Sequence, residues 1–425
     1  MKFREFIASQ DDDDRRLDRI IRKFISEDSL SAVYKSIRKG LIKINDKKAE
    51  ADSVGFKFTD VKVVKTTSVK DQNKSGTCWC FAGTSHFEDE IMKAGGDSLD
   101  LSEMFTVRQC YLEKAIRYVR MYGSTAFSPG GSILDVPYVW EKYGAIPEEV
   151  YNGLAYGEDK HSHGELHAVL QSYMKSINSK PNKRLSTAWL KGFEGILDAY
   201  FGKVPETFTY NGKTYTPQSY AESLGLSMDN YVAISSFTHH PFYKPFVLEV
   251  ADNWLWGQYQ NVPMEELKAI VDNAIDNGYS IVWAADVSEK GFNRKEGFMV
   301  CPAEKKADDM SEGEWLNWSK MTDKERDAAR YKLDKPGREL EITQELRQEA
   351  YDNYETTDDH GMLLVGKAVD QIGNNYYKVK NSWSTANGFD GFYYTSVPYF
   401  RYKTICIVVN KNAISKDLRK KMGIK

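Results

Sequence analysis

Three short stretches of the chain carry residue types that together suit acyl-transfer chemistry on a thiol. Gln72 and Cys78 stand six residues apart, His360 lies far downstream in the stretch 358–361, and Asn381 lies in 380–383. They could supply an oxyanion donor, a nucleophile, a base and a residue that orients the base, which are the parts that such chemistry requires. We expect the fold to bring them together.

Cys78 stands where a helical pattern begins, directly after Gly76 and Thr77. A helix N-terminus presents unpaired N–H groups and partial positive charge, which favours a thiolate over a thiol. Taken alone, a free cysteine is more often an inert buried residue. Gln72 shifts the balance, because its amide could join the backbone N–H at the helix start in an oxyanion hole.

His360 begins an apolar run, 362–365, that predicts a strand and hence a rigid support for the imidazole. Paired with a thiolate, it would be an imidazolium that protonates a leaving amine and later activates water. His86 falls inside the Cys78 helix, and the remaining histidines lie in polar, loop-like sequence that predicts surface positions. His163 and His167 have i, i+4 spacing but no third ligand, so we predict no metal site.

Asn381 is the candidate third member of the set. Its amide oxygen could accept the second imidazole N–H and so fix the tautomer and the plane of the ring. Trp383, two residues later, could shield that hydrogen bond from water. An isolated Asn would more often be a turn residue, so the prediction depends on the presence of Gln72, Cys78 and His360 in the same chain.

The composition bounds the class of protein. The 425 residues are 41% hydrophobic and include 26 Tyr, 20 Phe and 9 Trp, which is typical of a well-packed globular chain. A net charge of -3 gives no whole-chain argument for nucleic-acid or membrane partners. Five scattered cysteines, no apolar run of membrane-spanning length and no signal-peptide pattern favour a reducing, cytoplasmic setting, and no motif calls for a cofactor.

Periodicity predicts an α+β protein of two lobes with a cleft between them, helices dominating the first half and strands the last quarter. The helical patterns cover 78–93, 102–121, 186–200, 264–277 and 343–353. The strand patterns cover 281–285, 362–369, 376–380, 391–395 and 404–409.

The first 52 residues differ from the rest and are predicted to form a separate small basic α/β segment, followed by one domain over 53–425. Between Arg15 and Lys48 there are eleven Lys or Arg against four acidic residues. The segment resembles, in truncated form, the small RNA-binding module of a ribosomal small-subunit protein and of pseudouridine synthases. That resemblance implies RNA contacts through Arg16, Arg38 and Lys39; a solvated basic extension is the plainer interpretation.

Residues 55–425 resemble the papain superfamily of cysteine peptidases, and specifically the bleomycin hydrolase and aminopeptidase C branch. The stretches that carry the resemblance are 72–81, 101–103, 130–132, 140–144, 358–366 and 376–383. Cys78 and His360 are 282 residues apart, whereas about 130–150 residues separate the pair in ordinary papains, so the resemblance implies a large helical insertion. Ser384 departs from the family pattern, which has Gly after Asn-Ser-Trp.

The resemblance implies that Cys78 is the nucleophile, His360 the base, Asn381 the orienting residue and Gln72 the oxyanion donor. It also implies substrate contacts at the four positions Gly130, Gly131, Trp383 and Lys425. The two glycines would let a substrate backbone approach the cleft wall.

Members of this branch form homohexamers and place the C-terminus of the chain in the cleft, where the Lys425 carboxylate would pair with a substrate ammonium. A frayed, solvated helix is the alternative for this tail. The predicted function is a cytoplasmic cysteine aminopeptidase that acts on peptides. The alternative is an RNA-associated binding protein whose N-terminal segment is the working part.

Overall fold

The computed structural model describes residues 21, 36, 41, 43–44, 47–48, 55–179, 183–304, 310, 312–333 and 335–425. These residues divide into two compact units, the larger comprising Lys57–Lys332 and Gly337–Lys425. The smaller unit contains a two-stranded antiparallel ladder of β1 (Lys43–Ile44) and β2 (Lys47–Lys48). Arg16, Arg38, Lys39 and the expected boundary between 52 and 53 all lie outside the described residues.

The helices of the larger unit carry most of its first half. In chain order they are α1 Cys78–Lys93, α2 Glu103–Arg120, α3 Asp135–Tyr143, α4 Gly164–Asn178, α5 Ala188–Phe201, α6 Pro217–Ser223, α7 Met264–Asp276, α8 Glu312–Lys320, α9 Asp323–Arg330, α10 Gln344–Asp352, α11 Val397–Lys403 and α12 Lys416–Met422. Side-chain caps begin several of them; the Ser102 hydroxyl, for example, accepts the N–H of Phe105 at the start of α2.

The strands of the larger unit fall mainly in its second half. They are β3 Phe58–Val63, β4 Phe208–Tyr210, β5 Lys213–Tyr215, β6 Tyr231–Ser235, β7 Pro245–Val247, β8 Gln258–Asn261, β9 Ile281–Ala285, β10 Phe292–Asn293, β11 Phe298–Met299, β12 His360–Asp370, β13 Asn375–Lys380, β14 Phe392–Ser396 and β15 Thr404–Asn410. β4 and β5 pair in a small hairpin. The large sheet has the order β10-β11-β14-β13-β12-β9-β15-β6-β8-β7, with β3 also paired to β12.

Strand β12 is the centre of that sheet. It pairs antiparallel with β13 on one side, while its first half pairs with β9 and its second half with β3. Met362 and Leu364 enter the hydrophobic cluster on one face of the sheet, and Leu363 and Val365 enter the cluster on the other. Because both faces are covered, the strand reads as a continuous apolar run rather than as an alternation.

Three hydrophobic clusters hold the larger unit together. One is built mainly by the helices α1 to α6, one lies between the sheet and α7, and one covers the opposite face of the sheet. Helix α1 touches two of them, since Trp79 belongs to the helical cluster and Ala82 to the cluster on the sheet. Its N-terminus is therefore held between helical and sheet packing.

The bounds predicted from periodicity agree closely with the structure for the long elements. The pattern over 78–93 is helix α1 itself, and the pattern over 362–369 is the inner part of β12. Among the elements that were not predicted are the strands β3, β6, β7 and β8 and the helix α4. The mixed α+β distribution is confirmed.

Candidate active site

Cys78 is the first residue of α1, and its side chain is partly exposed. The sulfur accepts a hydrogen bond from the backbone N–H of Gly361, at 3.3 Å. Cys80, two residues on, is fully buried and its thiol donates to the carbonyl of Glu103. All five cysteines are free thiols. Cys78 alone among them reaches the surface, so it is the thiol that a substrate can meet.

His360 opens β12 and is 5% exposed. Its Nε2 lies 2.8 Å from Oδ1 of Asn381, which follows directly after β13. Leu363 pairs with Lys380 in the β12–β13 ladder, so continuing the register sets His360 opposite Trp383. The two rings do stack, with centroids 4.5 Å apart and an interplanar angle of 28°.

Trp383 covers the imidazole as expected, and the Arg294 guanidinium lies 4.5 Å from the centroid of the same indole. The ring does not line the cavity beside Cys78. The structure therefore places Trp383 as a cover for the base, and the expected substrate contact at Trp383 stays a prediction.

Gln72 is buried and tied to the segment that carries Asn381. Its Oε1 accepts the hydroxyl of Ser382 at 2.6 Å, and its backbone N–H donates to the Ser382 carbonyl at 2.8 Å. These bonds make the carbonyl end of the amide the anchored end. The amide nitrogen has no hydrogen-bond partner among the described residues and is free to donate to a developing oxyanion.

Gly130 and Gly131 follow Pro129, whose carbonyl accepts the indole N–H of Trp79. A Cβ at Gly130 would come within 2.5 Å of Asp252 Oδ2, and one at Gly131 would come within 2.6 Å of Asp135 Oδ2. A side chain at either position would therefore force the neighbouring carboxyl group to move. Gly131 also lines the cavity, where the absence of a side chain leaves room for a ligand.

The cavity beside Cys78 spans about 370 Å³ of space between protein atoms, part of which is open solvent. Its walls come from α1, from the strands β9, β12 and β15, and from the segments around residues 131 and 252. The lining residues are Cys78, Trp79, Gly131, Ser132, Ile133, Val250, Asp252, Tyr259, Ala284, Asp358, Asp359, His360, Gly361 and Cys406.

Burial opposes charge on both reacting groups. It raises the pKa of the Cys78 thiol to about 11, against the lowering effect of the Gly361 N–H. It lowers the pKa of His360 to about 4, against the hydrogen bond to Asn381. Desolvation favours a neutral thiol beside a neutral imidazole, whereas the helix N-terminus favours the thiolate–imidazolium pair expected from the sequence, which stays a prediction.

The chain departs from the family pattern at Ser384, whose backbone conformation is one that glycine favours. Its φ is +61°, in the left-handed region that favours glycine, and its N–H donates to the carbonyl of Lys70. The serine keeps the backbone conformation that a glycine would adopt with less strain. The loop after Trp383 is therefore held in place despite the substitution.

Lys425 is not brought to the cavity. Helix α12 packs on the opposite face of the sheet, where Met422 is buried in the cluster around α7 and Lys421 pairs with Glu266 at 2.7 Å. Asn273, also on α7, donates to the carbonyl of Ala413. The predicted cleft role of Lys425 is wrong for this structure, because the apolar face of the tail is drawn to α7.

Metal-ligand geometry does not occur in the cavity. Among the described residues, three ligating groups converge in the set His239, His240 and Glu249 and in the set Glu88, Asp100 and Glu103. The second set surrounds the Lys70 ammonium. His163, expected at the surface, is instead buried against Phe201, and burial lowers its pKa to about 4.

Sequence reasoning missed two features of the site. The N–H of Gly361 reaches the Cys78 sulfur, and the carboxyl groups of Asp252 and Asp358 share the cavity with it. The acidic pair directly before His360 was a visible signal. Asp252 gave none, because its place beside Gly130 depends on tertiary packing.

Comparison with known proteins agrees with this geometry. Residues 56–177 match the family described as papain family cysteine protease, and residues 200–308 and 323–424 match the Peptidase C1-like family. The aminopeptidase C of Lactobacillus delbrueckii subsp. lactis is 23% identical over 401 residues, which are 84% of this chain and 82% of that protein. The aminopeptidase C of Listeria monocytogenes serovar 1/2a is 23% identical over 396 residues, with the same coverage.

The crystal structure of PepW from Lactobacillus rhamnosis HN001 superposes with a TM-score of 0.63. The two sequences are 18% identical, and the match covers 98% of this chain and 95% of the other. The fold and the arrangement around Cys78 define a cysteine peptidase of the papain superfamily, to which the chain belongs. Within that class it is a cysteine aminopeptidase. The matches give no support to the RNA-binding resemblance of residues 1–52.

Proposed function

We propose that the chain removes N-terminal residues from peptides through a thioester acyl-enzyme on Cys78. The observation that supports this most directly is the set Cys78, His360 and Asn381, in which a partly exposed thiol and an Asn-tethered imidazole share one cavity. The two-lobed papain arrangement expected from the sequence suits the same proposal, since the cavity has walls of both helix and sheet.

Acylation begins when His360 takes the thiol proton and the sulfur of Cys78 attacks the scissile carbonyl carbon. The oxyanion that forms accepts the amide N–H of Gln72 and the backbone N–H at the start of α1, and its negative charge is stabilised by these two fixed donors. The C–N bond then breaks, His360 delivers the proton to the leaving amine, and the acyl group remains on sulfur.

Deacylation repeats the same steps with water. His360 takes a proton from a water molecule, the hydroxide attacks the thioester carbonyl, and the C–S bond breaks with return of the proton to sulfur. Asn381 holds the imidazole in one tautomer throughout. Burial lowers the pKa of His360, which favours the neutral state that accepts a proton.

The setting of the enzyme belongs to the same proposal. Five free thiols favour the reducing cytoplasm, and peptides are the substrates that the relatives' name of aminopeptidase suggests. A homohexamer is the assembly that the resemblance implies, and sedimentation of the full chain would test it. No helix in the described part of the chain is both long enough and apolar enough to cross a membrane.

Hydrolysis of a fluorogenic aminoacyl amide under reducing conditions tests the function. We expect turnover by the intact chain, loss of turnover in Cys78→Ala, and retention in the matched control Cys80→Ala, whose thiol is buried. Equal activity of the intact chain and Cys78→Ala would contradict the proposal, as would hydrolysis of an N-acetylated amide in preference to the free amine.

A further inference from the structure

The displaced C-terminal tail leaves open what a free substrate amine would meet in the cavity. Two carboxyl groups are candidates: Asp252, which follows β7, and Asp358, which stands two residues before His360. Both line the cavity that holds Cys78. The Asp252 carboxylate also lies against Gly130, where a Cβ would approach Oδ2 to 2.5 Å.

The carboxyl groups of Asp252 and Asp358 differ from neighbouring carboxyl groups in their hydrogen bonding. Asp359 accepts the N–H of Ser288 at 3.0 Å and the hydroxyl of Thr357 at 2.8 Å. Asp135 accepts the indole N–H of Trp254 at 2.7 Å. Among the described residues, by contrast, no group donates a hydrogen bond to the carboxyl of Asp358 or Asp252 or forms an ion pair with it.

Of the two residues, Asp358 gives the stronger argument for a bound partner. The residue is partly exposed and lies at the cavity wall. A carboxylate that is partly withdrawn from water and has no donor is costly and is rarely retained without a partner. The nearby cation Lys114 does not supply one, because its ammonium donates to the carbonyls of Ser128 and Gly130.

The two carboxyl groups lie near enough to repel each other. Burial, followed by repulsion from Asp252 and Asp359, raises the pKa of Asp358 to about 7. Burial also raises the pKa of Asp252, against the lowering effect of the Lys114 ammonium. A cation placed between two such groups would relieve the repulsion and restore both to the ionised state.

We propose that Asp252 and Asp358 form the anionic subsite that receives the α-ammonium group of the substrate's N-terminal residue. The subsite deepens the proposed aminopeptidase function and rests on it. With the scissile carbonyl at the Cys78 sulfur, the α-nitrogen is only two covalent bonds away from the carbon under attack, about 2.5 Å by standard geometry. It therefore remains in the cavity that both carboxyl groups line.

The test compares one aminoacyl amide with its N-acetyl derivative as substrates of the intact chain, Asp252→Asn, Asp358→Asn and the control Asp97→Asn. Asp97 is exposed and lies outside the cavity. Loss of a charge-assisted hydrogen bond predicts a rise of about 10-fold or more in KM for the free amine in each cavity variant. The N-acetyl rate and the Asp97→Asn kinetics should not change.

An unchanged ratio of free-amine to N-acetyl turnover in both cavity variants would overturn the subsite while leaving the proposed function intact. So would preferential hydrolysis of an N-acetyl-lysyl dipeptide amide, because the cavity would then recognise a basic side chain. Absence of all turnover by the intact chain would instead reject the function and the subsite together.

Direct binding provides a test that does not depend on the folding of the Asp variants. Calorimetry on Cys78→Ala should show leucinamide binding about 10-fold or more tightly than N-acetyl-leucinamide, since only the former carries the ammonium group. Equal affinity for the two ligands would overturn the subsite.

Discussion

The Asn381 side chain shows how single atoms define the candidate site. A backbone N–H can only donate, so the atom that meets the N–H of Ser382 at 2.8 Å is the amide oxygen. The same oxygen lies 2.8 Å from Nε2 of His360, which must therefore carry the proton. The other ring nitrogen of the neutral imidazole is then left unprotonated and can accept the proton of a thiol.

Replacing Asn381 by Ala should lower kcat by about 10-fold or more, because general acid–base catalysis contributes about 100-fold to 10,000-fold and depends on the orientation of the ring. KM should change little. Steady-state kinetics on the aminoacyl amide provide the measurement, with thermal unfolding as the check on folding. An unaltered kcat would show that the ring needs no tether.

The buried residue His86 makes the stability of the fold depend on pH. His86 is fully buried; its Nδ1 lies 3.1 Å from the Ser280 hydroxyl, and burial lowers its pKa to about 3. The unfolded chain, with a pKa near 6.5, binds the proton first as pH falls, so this stabilising contribution is present above pH 6.5 and is lost below it.

Relative to His86→Leu, the intact chain should therefore lose about 2 kcal/mol of unfolding free energy between pH 7 and pH 5. Urea unfolding at the two pH values measures the difference, and the variant cancels the contributions of the other titrating groups. Parallel pH dependences of the two proteins would contradict the assignment.

At the scale of elements, the site depends on the contact between the start of α1 and the start of β12. Gly361 marks this contact, because a Cβ there would lie 3.0 Å from the Cα of Trp79 and 3.2 Å from its backbone nitrogen. The same residue donates its N–H to the Cys78 sulfur. The separation of the helix and the strand thus sets the environment of the thiol.

Gly361→Ala should push β12 away from α1 and lower kcat/KM by about 10-fold or more, since a small misplacement of reacting groups is costly. Alkylation of Cys78 by iodoacetamide should also change in rate, because the sulfur loses its N–H donor. Gly195→Ala is a suitable control, as a Cβ there meets nothing within 4 Å. Wild-type kinetics in Gly361→Ala would refute the tight contact.

The elements that could be predicted are those with strong local patterns. Helix α1 and strand β12 are long, and their apolar periodicity or runs are visible without a partner. The strands β6, β7 and β8 were missed because they are short and are defined by pairing: β6 with β15 and β8, and β7 with β8. Residue type and context were enough to single out Cys78, His360 and Asn381. The protonation states of the thiol and the imidazole depend on burial, which the sequence does not show.

In the whole molecule, the two faces of the large sheet are covered by different parts of the chain. One face carries α7 and the tail helix α12, and the other face contributes Ala284 and Cys406 to the cavity. The tail could not be placed from the sequence, which left open a role in the cleft and a frayed, solvated helix. The structure resolves the choice by burying Met422 beside α7.

Truncation after Met422 should therefore leave the preference for a free amine unchanged. It removes Gly423–Lys425, of which Ile424 is partly buried, so we expect a loss of up to about 2 kcal/mol in unfolding free energy. Rates on the free and N-acetylated amides, with a denaturant melt, test both statements. Loss of the preference for the free amine would instead indicate that the tail lies in the cleft.

The central claim is that acyl transfer proceeds through a thioester on Cys78. Its most direct test is mass spectrometry of the enzyme quenched in acid during turnover of an aminoacyl ester, followed by digestion and mapping. We expect the mass of the aminoacyl group on the peptide that contains Cys78; this adduct should be absent from Cys78→Ala and labile to hydroxylamine. Steady turnover with no adduct on that peptide, or an adduct on another residue, would contradict it.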